Sequence, residues 1–543
     1  MAQYNLVVVT ASRYLKAGRA VLAVLVLGSG AVAGCAEPAA SRSSARPVFG
    51  PDSAWARVAA GAHYAQRGWW WRRLWGQHYR QVWAVPVTAP VLRLGAAELL
   101  PTQVGGSFQT NTLRLQTADG RTFVLRSVDK DLSRRLATGW GRLVAPVLRD
   151  QTCAAPPYGA YVAAALAQAA GVYHTNPRLV YLLPDTVLGE FSAQFRPALY
   201  LLEERPDRDQ AHAPSFGGAR LVTGSEQMLR TLLARPTAHI DARRYLRARL
   251  LDILLGDWSR RADQWRWAAF ATAGGTEFRP IPRDRDQAFF RFDDGWLTRA
   301  LSWMRPRFQT FNATPSLAQV DPLTVTARPL DETVLALVPE ATFRAEAAVL
   351  ARHLTDSVLA QALLTVPPEV RPLLTQELLP ALRVRRGLLP TAAARYYRAL
   401  QVDAAVIGTD AAERFVVQAD GPGRVRLQVW ALRPARPDSL LGEQRYDVRR
   451  TRRLRLYGLG GNDQFELRGH LAPGFAVWLD GGAGTNRFTQ AAPATSDVGL
   501  TVYAGPRDQQ QLGAAVRVRP LAPTSCTADS LIASYYRLQL GAK

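Results

Sequence analysis

Lysine is almost missing from this 543-residue chain: of 67 basic residues only Lys16, Lys130 and Lys543 are lysines, leaving 64 arginines. The formal charge of +23 therefore reads as a chain-wide preference for arginine, not as a lysine-rich phosphate-binding surface. Basic runs are short and the tryptophan stretches do not alternate with lysine, so nucleic acid is not the expected partner. Cysteine is equally scarce, three in all, which excludes a disulfide framework. Histidine occurs seven times, with no Asp/His/Asn cluster of a metallophosphoesterase. No segment is a run of about 18 or more apolar residues, so no membrane-spanning helix is expected. What remains is a composition of 48% hydrophobic and 20% charged residues, enough to bury a core and long enough for roughly two to four domains. The one lysine of the folded body, Lys130, suggests a site that requires a compact ammonium in place of a guanidinium fork, chance retention being the alternative.

Residues 1–35 predict an export signal. Arg13, Lys16 and Arg19 precede the apolar run Val21 to Ala33, which is too short to span a bilayer. It ends in Val32-Ala33-Gly34-Cys35, which resembles the bacterial lipoprotein cleavage box with Cys35 as the lipidated residue. Ala36 follows in place of an aspartate, so an outer-membrane location is expected, tethered to the membrane through the lipid. Cys153 and Cys526 then remain, and the two could pair in an oxidising envelope.

The organisation that follows is a flexible tether over 36–55, an α+β region over 56–210, a helical region over 211–402 and a β-rich module over 403–543. The leading stretch 56–82 reads as helical, with Trp69, Trp70, Trp71 and Trp75 ahead of Trp83. Its tryptophans serve either packing on the next domain or anchoring at a membrane interface. Leu113–Gln116 and Thr122–Val128, separated by Ala118-Asp119-Gly120, predict a β-hairpin. Residues 225–256 predict helix, and 330–400 several amphipathic helices broken at Pro367-Pro368 and at Pro390. After 403 the period changes to two, with glycine-rich turns; no solenoid repeat is read.

Three segments carry candidate chemistry. Gly105, Gly106 and Gln109 lie in a glycine-rich turn before the hairpin, where backbone amides can approach phosphates. On the second hairpin strand Arg126 and Lys130 share one face by the period of two. This is how kinases hold nucleotide phosphates, with loop amides above and a strand lysine beside. Leu255-Gly256-Asp257-Trp258-Ser259-Arg260-Arg261-Ala262-Asp263-Gln264-Trp265 and Pro280-Ile281-Pro282-Arg283-Asp284-Arg285-Asp286 supply the other half. Asp284 and Asp286, two residues apart in an expected extended segment, suit a hard divalent ion such as Mg²⁺ or Mn²⁺ carrying ATP phosphates. Salt-bridged Arg/Asp clusters are the bland alternative for each segment.

The stretches SFQTNTLRL, VLRSVDKD, YLLEERP, GDWSRRADQWRW and PIPRDRDQAFF resemble a segment of large bacterial cell-envelope proteins. Those proteins often also carry a calcineurin-like metallophosphoesterase and a BamA-type outer-membrane barrel. That segment is similar in turn to the HipA- and CotH-type atypical kinases. The resemblance covers most of 75–490 and implies an atypical kinase-like, two-lobed α+β domain with a helical C-lobe, followed by a small all-β domain. It implies that Lys130 or Arg126 holds phosphates, that Glu203 and Glu204 sit near the lobe hinge, and that Asp286 binds the metal. In place of the family's G-D-W-D-R-H-x-D-Q-W this chain has Ser259 at the catalytic aspartate and Arg261 at the histidine. Serine is no carboxylate base at neutral pH. Asp257 and Asp263 are the carboxylates left to stand in, and Gln264 takes the position of a metal ligand.

In the β module, Gly458–Phe465 and Gly481–Phe488 are related octets resembling calcium-binding Gly-Gly-x-Gly-x-Asp turns, with Asp463 and Asn486 as candidate ligands. The expected function is a lipid-anchored envelope protein with a kinase-like nucleotide- and metal-binding domain, a pseudokinase or weak phosphotransferase. The alternatives are a non-catalytic scaffold for an outer-membrane protein and a polyanion binder.

Overall fold

The computed structural model describes residues 46–50, 52–105, 111–130, 141–471, 474–491, 499–521 and 527–533, with side chains from 145 onward in the segment that starts at 141. The signal segment with Cys35, most of the tether, Gly106, Gln109 and Cys526 lie outside the described residues.

The N-terminal part is built on an eight-stranded sheet. Its strands are β1 (Val48–Phe49), β2 (Trp55–Ala59), β3 (Pro86–Leu92), β4 (Leu100–Gly105), β5 (Thr112–Gln116), β6 (Thr122–Ser127), β7 (Arg178–Leu182) and β8 (Ala198–Glu204). The order is β1-β2-β3-β7-β8-β6-β5-β4, antiparallel except where β3 meets β7. The expected hairpin is β5–β6, with Leu113 opposite Leu125. Central β8 is buried on both faces. Its Leu199 and Leu201 join the main core, while Tyr200 and Leu202 join a smaller one on the opposite side, as the strand period of two requires.

Two expectations fail near the start. The described end of the tether, from Val48, is already in the sheet. The stretch 56–82 is not one helix: β2 runs to Ala59, and helices follow at Trp69–Trp75 and Arg80–Ala84. Gly68 and Gly76 bound the first helix. Gly76 adopts φ +105 where a Cβ would strike His78 and Asp294, so the chain turns there. Trp75 and Trp83 are buried, Trp71 donates to Asp150 at 2.7 Å, and Trp69 and Trp70 face solvent.

The region 225–256 is likewise interrupted, into helix Ser225–Ala234, strand Ala238–Ile240 and helix Ala242–Leu255. Arg235 precedes Pro236 and is driven extended, at φ −145 and ψ 126. A four-stranded sheet contains the hairpin Trp265–Thr272/Gly275–Pro282. Further on, Pro390 does not break its helix. Arg371–Gln401 is continuous across Pro380 and Pro390. The face carrying Leu374, Leu378, Leu382, Leu389 and Tyr396 is buried in the main core, and that packing outweighs the hydrogen bond each proline removes.

The C-terminal module is a parallel β-roll, contrary to the reading of no repeat. From Arg453 the chain alternates between two sheets. One holds Asp403–Ile407, Arg453–Tyr457, Ala476–Asp480, Leu500–Ala504 and Arg517–Pro520 in parallel register. Equivalent positions recur every 23 residues, as in Leu454–Val477–Leu500 and Asp463–Asn486. Phe415, Phe465 and Phe488 stack at 4.9 and 5.0 Å. The hairpin Arg424–Ala431/Ser439–Asp447 separates the first coil from the second, which hides the period in the sequence.

Candidate functional site

Strand β6 ends beside the loop that leaves the Trp265–Thr272/Gly275–Pro282 hairpin, and this junction brings five of the sequence-selected side chains together. Arg126 reaches Asp286 at 2.6 Å, Asp284 at 3.0 Å and Glu203 at 3.5 Å, while the Lys130 ammonium pairs with the other oxygen of Asp286. Asp284 takes a positive φ of 55. This interrupts the expected extended segment, and both Asp284 and Asp286 still reach Arg126. The Lys130 carbonyl accepts from Thr152 Oγ1 at 3.0 Å and from Arg149, so the backbone under the ammonium is fixed.

The electrostatics follow from packing opposite charges in a partly closed cleft. Burial works against the charged form of Arg126, but Asp286, Glu203 and Asp284 outweigh it and hold the guanidinium protonated. Burial alone would also raise Asp284, yet Arg126 and Lys130 keep it far below the usual carboxylate range. Asp286 moves the other way, pushed up by burial and by its neighbour Asp284. Glu203 is raised by burial and is steadied by Thr175 at 3.1 Å. Two adjacent carboxylates thus divide their roles, one firmly ionised and one more willing to hold a proton.

The second sequence-selected segment lies behind this cleft and is closed. Helix Ala242–Leu255 ends at Gly256, whose φ of +67 turns the chain into Asp257. Asp257 uses one oxygen on Arg260 at 2.6 Å and the other on the Ser259 amide at 3.0 Å. Burial raises its pKa while Arg260 opposes. Asp252 accepts from Arg249 and Arg260, and Asp331 accepts from Arg249 and Tyr245. Ser259 is buried, with its hydroxyl 3.4 Å from Gln264 Nε2. Asp263 forms a two-point pair with Arg261 at 3.0 and 3.1 Å, nearer the surface.

Other candidates stand apart. Gly105 ends β4 opposite Thr112, and Glu204 accepts from Asn176 at 3.0 Å. Asp463 and Asn486 lie in the β-roll, where their side-chain oxygens accept backbone N–H groups of Glu413 and Asp463. Among the described residues no group of three or more His, Cys, Asp or Glu side chains is arranged to hold a metal.

Sequence reasoning passed over Arg285 and the cavity beside it. A space of about 380 Å³ opens between Lys130, Asp286 and the aromatic side chains Trp75, Trp258, Phe290 and Phe308. Arg285 lines it and is itself buried; burial lowers its pKa to about 10. The only signal was its place between two aspartates, and a regular strand would have turned it away from them.

No family model and no curated protein matches the chain. Among solved structures, the crystal structure of a Helicobacter pylori proinflammatory kinase, CtkA, is similar over 57% of this chain and 98% of that chain, at 9% identity and a TM-score of 0.29.

Proposed function

We propose that this chain is an envelope lipoprotein with a kinase-like cleft that binds nucleotide phosphates together with a divalent ion, and that it transfers phosphate weakly or not at all. The observation that carries this reading is the meeting of Arg126 and Lys130, on strand β6 and just beyond its end, with Asp284 and Asp286, which lie more than 150 residues away. Cations suited to phosphate and carboxylates suited to a hard cation face each other at hydrogen-bond distance. They neutralise one another until a ligand bearing both charges replaces those pairs.

Asp284 and Asp286 are oxygen donors of the kind magnesium and manganese prefer, and two carboxylates plus phosphate oxygens are a usual set for magnesium. Bound there, the ion would neutralise phosphate charge. Arg126 and Lys130 would orient the phosphates, and Glu203 holds Arg126 from behind. Phosphotransfer also needs a group to accept the proton of the attacking hydroxyl. Ser259 cannot do so at neutral pH, both oxygens of Asp257 are engaged, and Asp263 is paired to Arg261. Attachment at Cys35 through the Val32-Ala33-Gly34-Cys35 box completes the reading. No described helix is long and apolar enough to cross a membrane.

The test is thermal unfolding of the full chain with ATP and Mn²⁺, beside Lys130→Ala and Asp286→Ala. The parent should melt several degrees higher with the ligand, and both variants should lose that shift. A parent indifferent to millimolar nucleotide removes the nucleotide reading and leaves a scaffold whose charges are structural.

A further inference from the structure

The cavity beside Lys130 gathers buried hydrogen-bond donors that make no hydrogen bond. Trp75 Nε1, Trp258 Nε1, Arg126 Nε, Ser127 Oγ and all three guanidinium nitrogens of Arg285 are buried, make no hydrogen bond, and belong to residues lining this one space. The nearest carboxylate contact of Arg285 is Asp252 at 3.3 Å, and that acid already accepts from Arg249 and Arg260. Asp286, the acid on the cavity wall, has one oxygen on Arg126 and the other on Lys130. Buried polar groups are almost always satisfied, so a cluster of orphan donors calls for an occupant rich in acceptors. Most of the remaining wall is apolar and aromatic, including Trp83, Phe290, Phe292, Leu301 and Phe308, and Arg305 and Arg307 add cationic side chains to it. An occupant must therefore bring an anionic end and an apolar body, in a volume typical of small-molecule sites.

The outer faces of the same walls point to where such a molecule comes from. Helices Trp69–Trp75 and Trp296–Met304 pack together and contribute Trp75 and Leu301 to the cavity. Their opposite faces expose Trp69, Trp70, Trp296 and Trp303, the last at 79%. The Arg73 guanidinium lies over both Trp69 and Trp296, at 5.6 and 5.2 Å. Tryptophan and arginine on one surface suit the headgroup level of a bilayer.

We infer that this cavity binds a single anionic amphiphile, an alkyl or acyl chain ending in a carboxylate or phosphate. The head lies on Arg285 beside Arg126, and the chain lies among the aromatic side chains. The inference rests on the cavity and not on the nucleotide reading.

The experiment uses the full chain carrying Cys35→Ser, so that no attached acyl group competes, and titrates it with dansyl-labelled undecanoic acid. One-to-one saturation is expected, displaced by laurate and about tenfold less well by the uncharged alcohol of equal length, as the loss of a charge-assisted hydrogen bond demands. Arg285→Met should weaken binding about tenfold or more, and Leu301→Trp, which fills the space, should abolish it. Trp258→Phe removes one orphan N–H without touching the Arg285 ion pair. It should weaken binding about threefold, which guards against a variant that merely unfolds. The probe is supplied in one arm free in solution and in the other within phosphatidylglycerol vesicles. Transfer from vesicles that Trp303→Ala slows supports a lipid source; binding from free solution alone supports a free carboxylate. No saturation, binding unchanged in all three variants, or displacement by ATP with Mn²⁺ but not by laurate would overturn the inference. The last outcome would leave the nucleotide reading standing.

Discussion

Two arginine–aspartate clusters, joined by Arg285, are made of the same residue types and do different things. In the inner one, Arg249, Asp252, Asp257, Arg260 and Asp331 are fully buried, and Arg260 donates from all three nitrogens to Asp252, Asp257 and the Arg283 carbonyl. In the outer one, Asp284 is 37% exposed, Arg126 keeps an orphan Nε–H, and Asp284 and Asp286 are driven in opposite directions of protonation. A closed network of buried charges is fixed, because removing any member strands another. An open network is under-satisfied and can exchange its internal partners for a ligand. Charge pattern alone does not separate the two; completeness of hydrogen bonding does.

The largest effect should therefore come from the inner cluster. Arg260→Met leaves Asp252 and Asp257 buried without their main partner and should cost about 3–5 kcal/mol in denaturant unfolding. Lys130→Ala in the outer cluster leaves Asp286 paired to Arg126 and should cost only about 1 kcal/mol, while removing the response to ATP and Mn²⁺. Equal losses in the two variants would erase the distinction. Ser259→Asp sharpens it from the other side. A new carboxylate beside Asp257 should destabilise by about 1–3 kcal/mol, yet raise transfer of labelled phosphate above the parent's level. A variant that binds nucleotide and still transfers nothing would show that more than the base is missing.

What was legible beforehand divides along the same line. The hairpin carrying Arg126 was readable, because alternation and an Asp-Gly turn act locally. So were the residues that meet in the outer cluster, since phosphate- and metal-binding chemistry limits the residue types. Of the inner cluster only Asp257 and Arg260 were read, within one segment; the closed network was not, because Arg249 and Asp252 lie on the preceding helix and Asp331 joins from a distant one. Arg285 was invisible because its direction depends on the positive φ of Asp284, a backbone detail no period encodes. The continuous helix through Pro390 and the 23-residue coil both arise from tertiary packing that overrides local signals.

A third charged row tests the same principle without any cation. Along one turn of the β-roll the Glu413 N–H donates to Asp463, the Asp463 N–H to Asn486, and the Asn486 N–H to Asp508, at 2.9, 3.0 and 2.8 Å. Burial, with Glu413 and Asp508 nearby, pushes Asp463 up to about 8, and burial pushes Glu413 up to about 7. An unfolded aspartate titrates near about 4. The folded coil therefore binds the Asp463 proton more tightly than the unfolded chain does. The stability this proton contributes is complete below about pH 4 and is lost as pH rises through about 8. Asp463→Asn places at this position the amide that the next coil already carries as Asn486, and an amide has no charge to bury. Hydrogen exchange across 463–491 should slow in the variant at pH 9 by the equivalent of at least about 1 kcal/mol and approach the parent's rate near pH 4. Calcium or a chelator should leave both unchanged, because one oxygen each of Asp463, Asn486 and Asp508 accepts a backbone N–H and no group of three or more His, Cys, Asp or Glu side chains among the described residues is arranged to hold a metal. Faster exchange in the variant, or a parent that tightens as pH rises, would mean that Asp463 works as an ionised ligand and not as a neutral rung.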